Sequence, residues 1–221
     1  MKSNAAFPRP LKRLLMTACA AAVLGTSLTA CFPLLVGGAA GGVLVAMDRR
    51  TSGAQLEDEG IELRAMARLR DNIGSRARVS ATSYNRQVLL TGEVLNENDK
   101  KLVEQVVSRV ENVNGVVNEL AIIDSPSLVQ RSSDVLITGQ VKALLIDAKD
   151  LYASAFKVVT ERGTVYLMGR VTQREADRAT DIARGARGVQ KVVRILEIIS
   201  EEEMQRLLPP KAQPAAAPRA S

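Results

Sequence analysis

Val88-Leu89-Leu90-Thr91-Gly92-Glu93-Val94 recurs further along the chain as Val165-Tyr166-Leu167-Met168-Gly169-Arg170-Val171. Both copies read Val-x-Leu-x-Gly-x-Val. Apolar residues at every second position predict a half-buried strand. The central glycine, Gly92 or Gly169, predicts a bulge or a close backbone approach. Repetition on this scale indicates one structural unit used twice.

The similarity extends outward from both copies. Asn96 is followed three residues later by Asp99, and Thr172 by Glu175, the pattern of a helix N-terminus. Val103, Val106, Val107 and Val110 then share one helical face, as do Ala179, Ile182, Ala183 and Ala186. Asn112 and Gly188 follow, and both tolerate the left-handed backbone that ends a helix. β-rich runs at 116–123 and 192–199 close each copy. Upstream, Ile61, Ala65 and Leu69 match Ile137, Val141 and Leu145 on an earlier helix, which spans about 134–145 in the second copy. Strands at 79–83 and 156–160 complete two hairpins, through turns at 84–87 and 161–164. Each unit therefore reads αββαβ. The expected fold is α+β, with a three-stranded mixed sheet packed by two helices. The units are assigned to residues 56–123 and 133–199, joined by Asp124-Ser125-Pro126-Ser127. A short acidic helix is expected near 201–208, within a 200–221 tail whose Pro- and Ala-rich end is expected to be flexible.

The N-terminus carries Lys2, Arg9, Lys12 and Arg13 without an acid, then an apolar run to Ala30. This is the layout of a secretory signal peptide, residues 1–30. Leu28-Thr29-Ala30-Cys31 resembles a bacterial lipobox, which implies cleavage before Cys31 and acylation of its sulfur and new amino group. An uncleaved anchor has sufficient length, but Pro33, Gly37-Gly38 and Gly41-Gly42 interrupt it. Residues 31–55 read as a small-residue tether.

The chain has 30 basic and 24 acidic residues, a net of +6. Without residues 1–30 the balance falls to 26 basic and 24 acidic, so the high pI does not indicate nucleic acid. The absence of Trp, and the presence of three Tyr and three Phe, offers no stacking platform for single strands. With no histidine, a Ser-His-Asp triad and a His-ligated metal site are excluded. No catalytic residue, metal site or dissociable cofactor is assigned; the only added groups expected are the diacylglycerol and N-acyl chain on Cys31.

The Gly-centred strand, the capped helix and the Asn112-Val113-x-x-Val116 and Gly188-Val189-x-x-Val192 sequences resemble the BON domain, an αββαβ module of bacterial envelope proteins. Two copies behind a lipobox resemble the dual-BON outer-membrane lipoproteins, among them the division- and outer-membrane-stress-associated lipid-binding lipoproteins. Asp58-Glu59-Gly60-Ile61-Glu62-Leu63-Arg64 and Arg174-Glu175-Ala176 strengthen this likeness. The resemblance implies a non-enzymatic, lipid-anchored protein on the periplasmic face of the outer membrane. It implies binding of anionic phospholipid through the first helix of the second unit, in support of envelope integrity. The family's interfacial Trp on that helix is Leu136 here, a side chain without the amphipathic ring that favours headgroup depth. Phe32, standing where an Asp would retain a lipoprotein at the inner membrane, agrees with outer-membrane sorting.

Charge divides in the same way. Residues 56–123 carry 9 basic and 11 acidic groups, and residues 133–199 carry 11 and 8. Only the second unit suits an anionic surface. Leu136, Gln140, Lys142 and Lys149 are the candidate lipid contacts; Gly92, Gly169, Asn112 and Gly188 are structural. The alternative is an envelope adaptor whose units bind other proteins. Oligomeric state and lipid preference are left open at this point.

Overall fold

The computed structural model describes residues 48–123 and 128–207. Along the chain run α1 (Ser52–Ile73), β1 (Arg78–Tyr84), β2 (Gln87–Val94), α2 (Glu97–Ser108), β3 (Gly115–Asn118) and β4 (Ala121–Ile122). Then follow α3 (Leu128–Asp147), β5 (Phe156–Glu161), β6 (Thr164–Val171), α4 (Gln173–Gly185), β7 (Lys191–Ile198) and α5 (Glu201–Leu207). Cys31, the signal segment, the 124–127 linker and residues 208–221 lie outside the described residues.

Both repeats build the same sheet. β1 and β2 pair antiparallel, with β3 and β4 added parallel to β2. β5 and β6 likewise form a hairpin, with β7 parallel to β6. The hairpin turns use two left-handed residues each, Asn85-Arg86 and Arg162-Gly163, the geometry whose twist matches paired strands. Asn96 and Thr172 cap α2 and α4 as expected, and Thr172 with Glu175 forms a complete capping box. Asn112 and Gly188 adopt positive φ after those helices.

Each central glycine lies against its partner strand. A Cβ at Gly92 would stand 2.0 Å from the Arg78 carbonyl oxygen, and one at Gly169 would stand 2.5 Å from that of Ala155. The conserved shape of the two copies therefore has a steric cause.

Four sequence expectations need correction. The tether does not extend to residue 55: α1 begins at Ser52, capped by the Thr51 side chain, and residues 48–51 belong to the folded part. The first helix of the second unit begins at Leu128, nearly two turns before 134. The run 116–123 is not one strand. It breaks between β3 and β4, where Asn118 Oδ1 accepts the Leu120 N–H at 3.2 Å, and Leu120 turns into the core.

The Gly-centred strands, finally, are buried on both faces rather than one. Val88 and Leu90 pack under α1 and α2, and Val165 and Leu167 under α3 and α4. The opposite faces meet each other: Tyr84 and Leu89 join Tyr166 and Met168 in a third cluster, flanked by Val117, Val159, Val193 and Ile195. The two modules thus pack sheet against sheet. Ion pairs ring this contact, Arg78 to Glu161 at 2.8 Å and Lys157 to Glu62 at 2.7 Å. The described residues of both modules lie within one compact unit, with its own cores and therefore able to fold by itself.

Candidate membrane-docking surface

α3 is held in one rotation by three kinds of contact. Ile137, Val141 and Leu145 enter the core of the second module. Buried Asp134 accepts the N–H groups of Arg162 and Gly163, each at 2.8 Å. Thr138 and Thr160 share a hydroxyl hydrogen bond of 2.8 Å. With that face committed, the opposite one points to solvent. It presents Val135, Leu136 and Ile146, which are 72%, 74% and 70% exposed, with exposed Gly139 and Ala143 between them.

An apolar ridge on the outside of a helix is unusual in a soluble module, because the outer face is where charge belongs. The first module supplies the comparison. Asp58, Ile61, Ala65 and Leu69 on α1 occupy the places of Asp134, Ile137, Val141 and Leu145 on α3. In the same register, exposed Glu59 stands where α3 has Val135, and exposed Arg70 where α3 has Ile146. The outer face of α1 also exposes Leu56 and Leu63, at 69% and 74%, but Glu59 and Arg70 interrupt it, whereas α3 carries Val135 and Ile146 at those two places.

The sequence-assigned residues fall around this ridge. Leu136 is on its crest. Gln140 and Lys142 are exposed on its two margins, and Lys149 is exposed just past the end of α3. Most arginines of the second module are committed elsewhere: Arg174 and Arg178 to Asp150, Arg194 to Asp177, and Arg170 to Glu197 and Glu203. Among the described residues, Lys142 and Lys149 have no carboxylate partner. Val135 and Ile146 were not singled out from the sequence. The signal that reveals them is the register between copies, which shows apolar residues at positions that are charged in the first module.

A second feature was hidden inside the segment read as tether. Arg49 is buried and donates from both terminal nitrogens to the Glu175 carboxylate, at 2.7 Å each, and to the Arg170 carbonyl at 3.1 Å. Its neighbour Arg50 pairs with Asp58 of the first module at 2.8 Å and lies 4.3 Å from the Tyr84 ring centre. Two adjacent arginines therefore fasten the start of the folded part to both modules. Burial alone would raise the Glu175 carboxyl, but hydrogen bonds from Arg49 and the Thr172 N–H hold it below the usual carboxylate range. Asp58 follows the same logic, with the Arg86 N–H, Ser83 and Arg50 outweighing burial. Glu161 goes the other way: burial raises it despite Arg78.

No helix among the described residues is long and apolar enough to cross a membrane. α3 instead has the form of an interfacial element, apolar on one exposed side and basic at its margin.

Two αββαβ modules with these capped helices and Gly-centred strands define the class: residues 57–124 and 133–199 match the BON domain, and the chain belongs to the BON-domain family. More narrowly, it is a dual-BON protein of the DolP type. It is 37% identical over 194 residues to Outer membrane lipoprotein DolP of Haemophilus influenzae, covering 86% of this chain and 97% of that protein. It is also similar to the 21 kDa hemolysin of Actinobacillus pleuropneumoniae, 30% identical over 69% of this chain and 80% of that protein. Osmotically-inducible protein Y of Escherichia coli is 32% identical over 63% of this chain and 72% of its own length.

Proposed function

We propose that this protein is an outer-membrane lipoprotein, anchored through Cys31 on the periplasmic face. In this reading it docks α3 onto anionic phospholipid and supports envelope integrity without catalysing a reaction. The observation that carries the proposal is the exposed Val135–Leu136–Ile146 ridge, with Lys142, which has no carboxylate partner among the described residues, on its margin; Val135 and Ile146 stand where the first module has Glu59 and Arg70. The likeness to a protein named an outer membrane lipoprotein supports the location, and the Leu-Thr-Ala-Cys sequence supports the anchor. Apolar burial in the acyl boundary and lysine contact with anionic headgroups act together; each basic contact contributes about 1 kcal/mol near such a surface. Anchoring would keep even a weak docking surface at high effective concentration.

The test is co-sedimentation of residues 42–221 with phosphatidylglycerol or phosphatidylcholine vesicles at two salt concentrations. Binding to the anionic vesicles alone, weakened by salt and by Leu136→Asp or Lys142→Glu but not by Leu63→Asp on α1, is expected. Equal binding to both lipids, or none, would overturn it; binding to neither would move the search to protein partners of the modules.

A further inference from the structure

Beside the C-terminal half of α3 lies a groove of about 370 Å³ that the outer ridge does not account for. Leu145, Leu151, Phe156 and Val158 form its buried floor, and Ile146 and Tyr152 its walls. No acid lines it, and Lys142 stands at its rim. A larger cavity of about 540 Å³, beside Asn85, Arg194 and Glu197, is polar. Its charged groups are already engaged, Asn85 with Glu197 and Arg194 with Asp177.

We propose that the groove takes one acyl chain of an anionic phospholipid, with the lipid phosphate at Lys142. This inference rests on the reading of α3 as the membrane-facing helix. The groove and its rim offer the two halves of such a ligand: an apolar trough that asks for no hydrogen bonds, and a cation with no carboxylate partner among the described residues. A peptide strand would leave its backbone polar groups unmatched in that trough. The volume is at the low end of small-molecule sites, enough for part of one chain and not for a whole lipid.

Two further observations place the groove where a bilayer would supply the chain. Ile146 belongs both to the exposed ridge and to the groove wall, so the trough opens onto the docking face. Arg49 sits 5.8 Å from the centre of the Tyr152 ring, so the first described residues of the folded part reach the same wall. A lipid anchor on Cys31 would deliver this end of α3 to the membrane.

The test separates a single lipid from a surface. Residues 42–221 are titrated with dihexanoyl phosphatidylglycerol below its micellar concentration and followed by methyl NMR, with glycerol 3-phosphate as the headgroup alone. Saturable one-to-one shifts at Leu145, Leu151 and Val158 are expected from the lipid and not from glycerol 3-phosphate. Ala153→Phe, and independently Ser154→Leu, should fill the groove and weaken the lipid at least tenfold with the circular dichroism unchanged. Lys142→Glu should weaken it while sparing dihexanoyl phosphatidylcholine. Shifts confined to Val135 and Leu136, or undiminished binding to both filled variants, would overturn the proposal. It would also fall if the groove methyls accept lipid only after removal of the apolar segment 43–47, which would make that segment the occupant. Vesicle binding by a protein that ignores the short-chain lipid would leave α3 docking intact and sink the groove. Short-chain binding without vesicle binding would do the reverse.

Discussion

Asp58 and Asp134 do the same work in the two modules: each is a buried carboxylate on the first helix that accepts both N–H groups of its own hairpin turn. Asp58 receives Asn85 and Arg86 at 2.7 and 2.8 Å, and Asp134 receives Arg162 and Gly163 at 2.8 Å each. A left-handed pair of turn residues exposes two adjacent donors, and a helix carboxylate placed under them satisfies both. The contact explains why Arg86 and Arg162, neither of them glycine, keep positive φ. It also sets the rotation of α3 and hence which side chains reach solvent.

Replacing either aspartate by alanine strands two donors, at roughly 1–3 kcal/mol for each buried unsatisfied group. Asp58→Ala should cost more than Asp134→Ala, because it also removes partners from Ser83 and Arg50. Denaturant unfolding of both variants measures the difference. Asp134→Ala should in addition weaken vesicle binding by loosening α3.

Arg49→Ala leaves a buried Glu175 without its cation, a change of about 3–5 kcal/mol for pairs this deeply enclosed. Glu175→Gln should recover part of that loss in the Arg49→Ala background, since a neutral amide tolerates burial better. A double-mutant cycle by urea denaturation reads the coupling; simple additivity would mean that the ion pair does not hold residue 49 to the second module.

Gly92→Ala and Gly169→Ala both push a methyl group into a carbonyl oxygen, but at different severity. The gap is 2.0 Å at Gly92, which also has φ of 116°, and 2.5 Å at Gly169. Strain at such positions is of order 1–3 kcal/mol, so Gly92→Ala should lower the melting temperature further than Gly169→Ala. An equal effect would show that the sheets relax around the added carbon.

Stability should fall in acid. Asp58 and Glu175 have folded-state pKa values below their ordinary ones, so their contribution is present above about pH 4 and drains away as the pH drops through the folded values. Glu161 is raised; its contribution is complete below the unfolded value and disappears as the pH climbs through the folded one. Urea midpoints from pH 2 to pH 7 should show the acid loss, reduced in Glu175→Gln, and Glu161→Gln should remove the opposing slope above pH 4.

Leu136→Trp should strengthen binding to phosphatidylglycerol vesicles several-fold, because an indole ring prefers the headgroup level to which this residue would be delivered. Its fluorescence should shift to the blue on binding. An unshifted spectrum in the vesicle-bound protein would place the crest of α3 away from the lipid.

Much of this architecture could be read in advance because its determinants are local. Period-two strands, caps at Asn96 and Thr172, and left-handed stops at Asn112 and Gly188 depend on residues a few positions apart, and the repeat let each copy check the other. The broken strand at Asn118–Leu120 was not legible, since it depends on one side chain capturing a backbone N–H two residues ahead. Leu136 was legible as a candidate only through the family resemblance, and Lys142 through that resemblance together with the basic balance of the second unit. Val135 and Ile146 emerged once the rotation of α3 was known.

The sequence by itself determined two αββαβ modules, their order, and a second module richer in basic groups, because helix and strand periodicity, capping and charge are properties of neighbouring residues. Tertiary structure alone decided that the two sheets face each other, that Arg49 and Arg50 clamp both modules, and that α3 turns an apolar ridge and a groove outward. Those outcomes rest on which buried faces find complementary partners far along the chain, and a burial pattern shared by both faces of a strand leaves no periodic trace of the second partner.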